Sequence, residues 1–212
     1  MARRSDHSKE EITEMTLLAA EKIVDAQGYS GLSARKIAAE IGYTVGTLYL
    51  VFKNQDELTL TVNARTLDSL YTHLAAAVEE CDSPQSCAII MGRAYIEFAK
   101  SFPNRWNMIF EHKIPDDALI PIWYESRVEQ IFELIEQQLA PLMTNQTDQK
   151  LAQVARTLWC GVHGICVLAM TKKLRILGAG VGNEGGSTVE ILTDSLINNF
   201  LAGLKMELKG AT

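Results

Sequence analysis

The chain has 212 residues, of which 47% are hydrophobic and 22% charged, and its formal net charge is −6 at pH 7. This is the composition of an ordinary soluble globular protein with one large or two small domains. No run of about 18 apolar residues indicates a membrane helix. Because the opening MARRSDHSKEE lacks the apolar stretch of a signal peptide, we expect a cytoplasmic protein with no membrane partner.

Helical patterns run through the chain and strand patterns are nearly absent, so we predict an all-α fold of about nine helices. The first helix starts at a capping box, Ser8 to Glu11, and runs to Gly28. GLSARKIAAEIG gives a short second helix, with Ser33 as N-cap and Gly42 as a left-handed stop. Thr44 is the predicted N-cap of the third helix.

Asn54 caps a fourth helix of roughly 26 residues, which would be about 39 Å long and exceeds the small front unit. Further helix starts are predicted at Ser83-Pro84, near Pro103, Pro115 and Thr147, and at Ser187. We therefore divide the chain into a front domain at 1–53, a long connecting helix at 54–82 and a C-terminal domain at 83–212.

The four cysteines are expected to be reduced. Cys81, Cys87, Cys160 and Cys166 form no Cys-x-x-Cys pair, and four in a chain of this length do not indicate a secreted disulfide framework. Cys160, His163 and Cys166 are not expected to bind a metal either. The two cysteines would point about 120° apart on one helix, and no further cluster completes a ligand shell.

The stretch GAGVGNEGG at 178–186 contains a literal Gly-x-Gly-x-x-Gly match at Gly180, Gly182 and Gly185. The dinucleotide fingerprint needs a preceding strand and a parallel sheet, and this chain predicts neither. We interpret the stretch as a connector and expect no cofactor.

The two short helices around Gly42, braced by the first helix, are typical of a helix-turn-helix unit. Its second helix enters the major groove with its N-terminal residues facing base edges. Gly42 permits the sharp turn, Thr44 presents a hydroxyl at the helix start, and Gly46 removes bulk where the backbone approaches DNA.

The charge is distributed unevenly along the chain. Residues 1–53 are electrically balanced, with seven basic and seven acidic residues, while the rest carries 13 basic against 19 acidic. A polyanion could therefore approach the front unit, whereas the acidic remainder would repel it.

The stretch GLSARKIAAEIGYTVGTLYLVFKNQDEL resembles the signature of TetR-type transcriptional regulators. The resemblance implies base or groove contacts from Thr44, Val45, Gly46 and Thr47, and phosphate contacts from Ser33, Arg35, Tyr49 and Lys53.

Two residues depart from the family pattern. Val51 stands where a His or aromatic residue is usual, and Gln55 stands where a Lys is usual. Two potential backbone contacts are then missing, so we expect lower affinity and a flatter salt dependence. Arg3 and Arg4 could partly compensate as a disordered arm. Simple packing of a helical subdomain is the alternative, but it leaves an exposed Tyr49 unexplained.

The C-terminal region is rich in aromatic residues, which on helices are usually core. Together with methionines they could equally line an apolar cavity for a small molecule. The candidate effector pocket consists of Met91, Tyr95, Phe98, Trp106, Phe110, Trp123, Tyr124, Trp159 and His163.

LWCGVHG at 158–164 and AYIEFAKSFPNRWNMIFEH at 94–112 resemble the TetR subgroup whose C-terminal domain is named for a Trp-His-Gly motif, here Trp159, His163 and Gly164. Trp159 and His163 are four residues apart and share a helix face. His163 is either a core histidine hydrogen-bonded to a neighbouring helix or a polar group of the ligand pocket.

Two seams predict helix pairing. Leu151, Ala155, Leu158, Val162, Ile165 and Ala169 follow a 4-3-4-3-4 spacing, and the last helix carries Leu192, Leu196, Phe200 and Leu204. The family resemblance implies that these helices pair with their symmetry mates in a four-helix homodimer interface. Burial within one subunit is the competing explanation.

These features predict a homodimeric, ligand-responsive regulator, a repressor, that binds a near-palindromic double-stranded DNA operator and is released by a small apolar effector. The alternative is a regulator of the same type without an effector, controlled by a partner protein. An enzyme is poorly supported, because the four histidines are scattered and no nucleophile motif or metal spacing is present.

Overall fold

The computed structural model describes residues 7–114, 119–144, 146–176 and 188–210. This part of the chain contains nine α-helices and no β-strand, as predicted. The helices are α1 (Lys9–Gln27), α2 (Ala34–Glu40), α3 (Val45–Leu48), α4 (Gln55–Ala77), α5 (Pro84–Ser101), α6 (Pro103–Glu111), α7 (Ile122–Leu139), α8 (Asp148–Met170) and α9 (Thr188–Gly210). Short 3₁₀ turns lie at Tyr29–Gly31, Ala140–Leu142 and Lys173–Ile176.

Local capping signals set most of the helix ends where the sequence predicts them. The Ser8 hydroxyl accepts a hydrogen bond from the backbone N–H of Glu11 (3.2 Å), and the Glu11 carboxylate accepts one from the N–H of Ser8 (2.6 Å). Gly42 adopts φ 73°, the left-handed conformation that ends α2. At the start of α4 the Asn54 side chain accepts a hydrogen bond from the N–H of Glu57 (2.8 Å). These ends therefore follow from local chemistry.

Helices α4 and α7 differ from the predictions. Helix α4 ends at Ala77 and is shorter than expected. Helix α7 begins at Ile122, because the carbonyl of Pro121 accepts the N–H groups of Tyr124 (2.8 Å) and Glu125 (3.1 Å). The predicted start at Pro115, the predicted cap Ser187 and the glycine-rich stretch 178–186 lie outside the described residues.

The first of two compact units combines Met1–Asp68 with Phe102–Arg127. It contains α1 to α3, the first part of α4, α6 and the start of α7. Helix α1 packs against α2, α3 and α6. The core of this first unit consists mainly of Leu17, Ala20, Ile23, Val24, Ile37, Leu48, Phe52, Leu58, Val62 and Met108. The predicted domain boundary at residue 53 therefore differs from this division, which adds part of α4 and a later segment of the chain to the front unit.

The second unit combines Ser69–Ser101 with Val128–Thr212. Helices α5, α8 and α9 pack against one another in it. Buried side chains include Leu74, Met91, Leu139, Ala155, Cys166, Ile197 and Leu201. Helices α4 and α7 each contribute one part to this unit and the other part to the first.

The expectation of four reduced thiols is wrong for one pair. Cys81 and Cys87 are joined by a disulfide, with their Cα atoms 5.3 Å apart. The loop between α4 and α5 brings them together, and this closure is not visible in a search for closely spaced cysteine motifs. Cys160 and Cys166 are free.

Candidate nucleic-acid interface and effector cavity

The helix-turn-helix is anchored from beneath by three buried side chains. Ile37 of α2, Leu48 of α3 and Phe52 just after α3 are nearly fully buried in the core of the first unit. Helix α3 is a single turn, so these anchors and not its own hydrogen bonds hold it in place. The outer face of the turn is thereby held at the surface.

The predicted recognition residues lie mostly on that surface. Thr44, Gly46 and Tyr49 are exposed, Tyr49 by 47% of its accessible area, and Thr47 is half-buried. A Cβ at Gly46 would meet only the Thr44 hydroxyl, at 3.8 Å, so the backbone there is open to approach. The side chain of Val45 is half-buried against the core, which leaves only part of it for contact.

Thr44 occupies the N-cap position of α3 but its side chain does not cap a backbone amide. Its hydroxyl instead lies 3.0 Å from the hydroxyl of Thr47. Both hydroxyls are therefore held together at the amino end of α3, where the sequence predicts contact with a base edge.

The predicted phosphate-contacting residues differ in exposure and in hydrogen bonding. The Ser33 hydroxyl caps α2 by accepting the N–H of Lys36 (3.3 Å), so it has a structural role as well. Arg35 and Lys53 are exposed, and neither side chain has a hydrogen bond or ion pair within the described ranges. These two cations are therefore free to approach an anion.

A contact that the sequence did not predict ties the turn to α1. The ring nitrogen Nδ1 of His7 lies 2.6 Å from the hydroxyl of Tyr43, the residue after Gly42. The two residues are 36 positions apart, so no local pattern could have indicated the pair. The predicted arm residues Arg3 and Arg4 precede His7 and lie outside the described residues.

Helix α6 also belongs to the first unit, which the sequence did not predict. The Arg105 guanidinium donates two hydrogen bonds to the Asp25 carboxylate at the end of α1 (2.6 and 2.5 Å), and this partner raises the pKa of Arg105. At the other end of α6, His112 Nε2 lies 3.2 Å from the Asp56 carboxylate. Helix α6 is thus tied to α1 and to the start of α4.

The second unit contains a small, partly open apolar cavity of about 40 Å³. It is lined by Leu74, Met91, Gly92, Tyr95, Ile131, Ile135, Leu158, Trp159, Val162 and Ile197. Three of the predicted pocket residues, Met91, Tyr95 and Trp159, are among them. The volume is far below the roughly 300 Å³ of typical ligand pockets.

His163 lies behind the cavity wall and is paired with Tyr95. Its Nδ1 is 2.8 Å from the Tyr95 hydroxyl, and its ring stacks on Trp159 with centroids 4.8 Å apart. Burial lowers the pKa of His163, which favours the neutral imidazole. Both interpretations of this histidine therefore retain support, since it is hydrogen-bonded to a neighbouring helix and touches a cavity-lining residue.

The remaining predicted pocket residues are elsewhere. Phe98 is buried beside His73 without lining the cavity. Trp106, Phe110, Trp123 and Tyr124 belong to the first unit. Trp106 packs against Phe110, and Trp123 against Tyr124. Aromatic richness alone could not separate these groups.

The residues of the two predicted dimer seams differ in how deeply they are buried. Ala155, Leu158, Val162 and Leu204 are buried within their own subunit, where Leu158 and Val162 line the cavity. Leu151, Ile165, Leu192, Leu196 and Phe200 remain half-buried. The exposed faces of α8 and α9 are mixed. Their exposed residues include the apolar side chains of Val167 and Met206 and the small or polar residues Thr157, Gly164, Ser195, Asn199, Ala202 and Gly203.

Two protein-family models match the chain. The model described as "Bacterial regulatory proteins, tetR family" matches residues 17–62, and "Tetracyclin repressor-like, C-terminal domain" matches residues 88–183. An HTH-type transcriptional regulator of Staphylococcus aureus (strain USA300) is 41% identical over 54 residues, which cover 26% of this chain and 29% of the relative. The match thus spans less than a third of that relative's length.

Solved structures resemble almost the whole chain. A protein of unknown function from Rhodococcus sp. RHA1 superposes with a TM-score of 0.71 at 20% identity, covering 95% of this chain and 98% of that one. The transcriptional regulator FadR of Bacillus subtilis, solved in complex with stearoyl-CoA, gives 0.65 at 11% identity, covering 90% and 98%. At these identities the likeness shows the fold.

Proposed function

The chain belongs to the TetR family of transcriptional regulators, and on this premise we propose that it is a repressor that binds a near-palindromic operator as a homodimer and leaves DNA when a small apolar effector binds. The observation that carries the proposal is the surface around α3. Tyr49 is 47% exposed directly after the buried anchor Leu48, an arrangement that presents polar and aromatic groups outward from a rigid support.

We assign roles to individual residues from the family resemblance, and their exposure and chemistry support the assignment. Thr44, Gly46 and Thr47, with the exposed part of Val45, face the base edges. Ser33, Arg35, Tyr49 and Lys53 contact phosphates, the two cations through charge-assisted hydrogen bonds. Since each neutralised phosphate contributes about 0.9 to the logarithmic salt slope, few such cations give a shallow salt dependence.

The homodimer is supported by the outer faces of α8 and α9. A Cβ at Gly164 or at Gly203 would have no atom of its own subunit within 4 Å. A groove of about 370 Å³ between the two helices is lined by Lys150, Gln153, Thr157, Asn199, Phe200 and Gly203. Small residues permit close helix approach. We expect the homodimer to present its two recognition helices to half-sites about 34 Å apart, one turn of DNA.

Helix α8 also has the length and apolar composition of a membrane-spanning helix. Core helices of soluble proteins share both properties, and transcription regulators of this family are soluble and cytoplasmic. We therefore assign the apolar surface of α8 to the dimer and not to a membrane.

The effector site is the apolar cavity of the second unit. Its lining is aliphatic and aromatic, and the Tyr95–His163 pair supplies polar groups beside it. The similarity to FadR, which was solved with stearoyl-CoA, suggests an acyl chain or another uncharged apolar ligand. The cavity must expand to admit it, so the ligand acts by its higher affinity for the expanded state.

The small cavity volume favours a second candidate, the same regulator without an effector and controlled by a partner protein. Titration with fatty acids and acyl-CoAs of increasing chain length separates the two. Release of operator DNA by one of them supports an effector, whereas no release by any of them supports a protein partner.

The DNA-binding assignment is tested by footprinting on the DNA that flanks the gene, with the variant Tyr49→Ala/Lys53→Ala as comparison. We expect a protected near-palindrome with the parent and none with the variant, at unchanged circular dichroism. A folded double variant that protects the same site as strongly as the parent would place the recognition surface elsewhere.

A further inference from the structure

The Cys81–Cys87 disulfide sets this cysteine pair apart from the other two cysteines. Cys160 is exposed and Cys166 is buried, and both are free. Burial raises the pKa of the Cys166 thiol to about 12, which leaves it almost entirely protonated and unreactive. Within the described ranges, only Cys81 and Cys87 are bonded to each other and so form a couple for thiol–disulfide exchange.

The two ends of this bridge are held very differently. Cys87 is buried in the first turn of α5, where its N–H donates to the carbonyl of Ser83 (2.8 Å). Ser83 and Ser86 reinforce that turn, each hydroxyl accepting the other residue's backbone N–H (3.2 and 3.0 Å). The α5 end of the bridge is therefore a rigid support.

The turn that follows α4 is held more weakly. In this turn the backbone N–H groups donate to carbonyl oxygens three residues earlier, Val78 to Ala75 (3.2 Å), Glu79 to Ala76 (3.4 Å) and Cys81 to Val78 (3.5 Å). These are long for N–H···O bonds, which cluster near 2.9 Å. The disulfide is consequently the strongest link between the end of α4 and the start of α5.

Both bridged elements contribute to the cavity wall. Leu74 lies in the last turns of α4, and Met91 follows Cys87 by one turn of α5. The covalent link lies in the connection between them, seven residues after Leu74 and four before Met91, and restrains how far the α4 and α5 walls can separate. Separation of walls is what the cavity of about 40 Å³ requires before it can admit a ligand.

We propose that Cys81 and Cys87 form a reversible redox site that controls opening of the cavity. The disulfide form holds the walls together and resists ligand entry, and the dithiol form releases the end of α4 and admits the ligand. The ligand-gating part rests on the proposed effector site, whereas the redox chemistry stands independently of it.

The oxidant is a peroxide. The thiolate of Cys81, the half-buried member, attacks a peroxide oxygen, giving a sulfenic acid and, with a proton, water. The thiolate of Cys87 then attacks the Cys81 sulfur and displaces hydroxide, which takes up a proton to become a second water. The two thiols lose two electrons and two protons in total. A small dithiol reverses the reaction by exchange and is itself oxidised to a disulfide.

The chemistry is tested by mass spectrometry of the full protein treated with hydrogen peroxide, then with iodoacetamide, and digested with trypsin. Cleavage after Arg65 and Arg93 gives one peptide, residues 66–93, with both cysteines of the pair and no other. We expect this peptide to be two hydrogens lighter and unalkylated, and doubly alkylated after dithiothreitol. Double alkylation in the peroxide-treated sample overturns the redox site.

The gating is tested with the uncharged fluorescent probe N-phenyl-1-naphthylamine. We expect the reduced parent and the variant Cys81→Ser/Cys87→Ser to bind it about tenfold more tightly than the oxidised parent, since a cross-link shifts an equilibrium by a decade or more. Cys160→Ser, which removes the exposed thiol, should keep the parent's redox response. Equal affinity in both redox states, or no binding in either, overturns the gating.

Operator binding is measured on the same samples to keep the two proposals apart. Absence of DNA binding in both redox states counts against the proposed repressor and leaves the cysteine chemistry intact. Should the double serine variant fail to fold, the parent with and without dithiothreitol provides the same comparison.

Discussion

The cations of Arg35 and Lys36 have different partners although the residues are adjacent in α2. Lys36 Nζ donates to the Gln27 side chain (2.6 Å) and to the carbonyl of Gly31 (2.9 Å). The Arg35 guanidinium is exposed, with no hydrogen bond or ion pair in the described part of the chain. One cation therefore supports the fold and its neighbour is available to DNA.

We predict that alanine at Arg35 changes operator binding, whereas alanine at Lys36 changes stability. Arg35→Ala should weaken operator binding and lower the salt slope by about 0.9, as expected for one lost phosphate contact, while the melting temperature stays unchanged. Lys36→Ala should instead lower the stability of the first unit by about 1 kcal/mol, the usual net value of such hydrogen bonds. Fluorescence anisotropy at several salt concentrations and thermal melts distinguish them, and a normal salt slope for Arg35→Ala contradicts the assignment.

The Arg105–Asp25 pair should contribute measurably to the docking of α6 on α1. We expect a coupling energy of about 1 kcal/mol from a double-mutant cycle with alanine at both positions, because the geometry is bidentate. The single-contact pair Lys22–Glu40 (2.5 Å) is more exposed and should give a coupling near zero. Urea unfolding of the six variants measures both, and equal couplings would refute the distinction.

Stability should depend on pH through His163. Burial lowers its pKa from the ordinary value of 6.5, so the unfolded chain binds this proton more readily than the folded chain. The free energy of unfolding is then highest above about pH 6.5 and decreases as the pH falls through that value. His163→Gln should remove this part of the pH dependence, as seen in the difference between the two curves from pH 8 to 5.

Tyr95→Phe serves as a control, because it keeps the histidine and removes its partner. We expect it to lower the free energy of unfolding by about 1 kcal/mol, the usual net value of one hydrogen bond. Identical pH profiles for the parent and His163→Gln would show that His163 is not the titrating group.

The dimer face is tested at Gly164, where the subunit leaves open space for a side chain. Gly164→Lys should leave the subunit folded, since lysine is a better helix former than glycine by several tenths of a kcal/mol. It should prevent dimerisation by placing two charges across the two-fold axis. Light scattering after gel filtration measures the mass, with the exposed α7 variant Gln137→Lys as control, and a persistent Gly164→Lys dimer contradicts the proposed face.

Filling the cavity is tested at Gly92. An added Cβ there lies 2.7 Å from Cδ1 of Ile197, so Gly92→Ala must displace the Ile197 side chain, which lines the same cavity. At Gly161, which does not line the cavity, an added Cβ lies 2.7 Å from Cδ2 of Leu196. Gly92→Ala and Gly161→Ala should each lower the free energy of unfolding by about 1–3 kcal/mol through overpacking. The higher helix propensity of alanine offsets about 1 kcal/mol of this loss. Only Gly92→Ala should weaken binding of N-phenyl-1-naphthylamine, and equal weakening by both would exclude this cavity as the probe site.

Several parts of the fold were determined by the sequence alone. The all-helical class, the capping box at Ser8 and the left-handed stop at Gly42 depend on residues within one turn of each other. The front helix-turn-helix could be located for the same reason, because its glycines and caps act on the local backbone. Exposure of Tyr49 next to buried Leu48 likewise follows from helical spacing.

Other features were decided only by the tertiary structure. Met91 and Trp159 line one cavity while Trp106 and Trp123 lie in the other unit, although all are apolar positions on helices. The seam from Leu151 to Val162 is shared between buried core and half-buried surface, and Cys81 meets Cys87 through the closure of a loop. Apolar patterns specify that a side chain is removed from water, but hydrophobic burial has no direction and any apolar surface can satisfy it. Which partner a side chain meets depends on how distant helices pack, and that is set by the whole set of contacts at once.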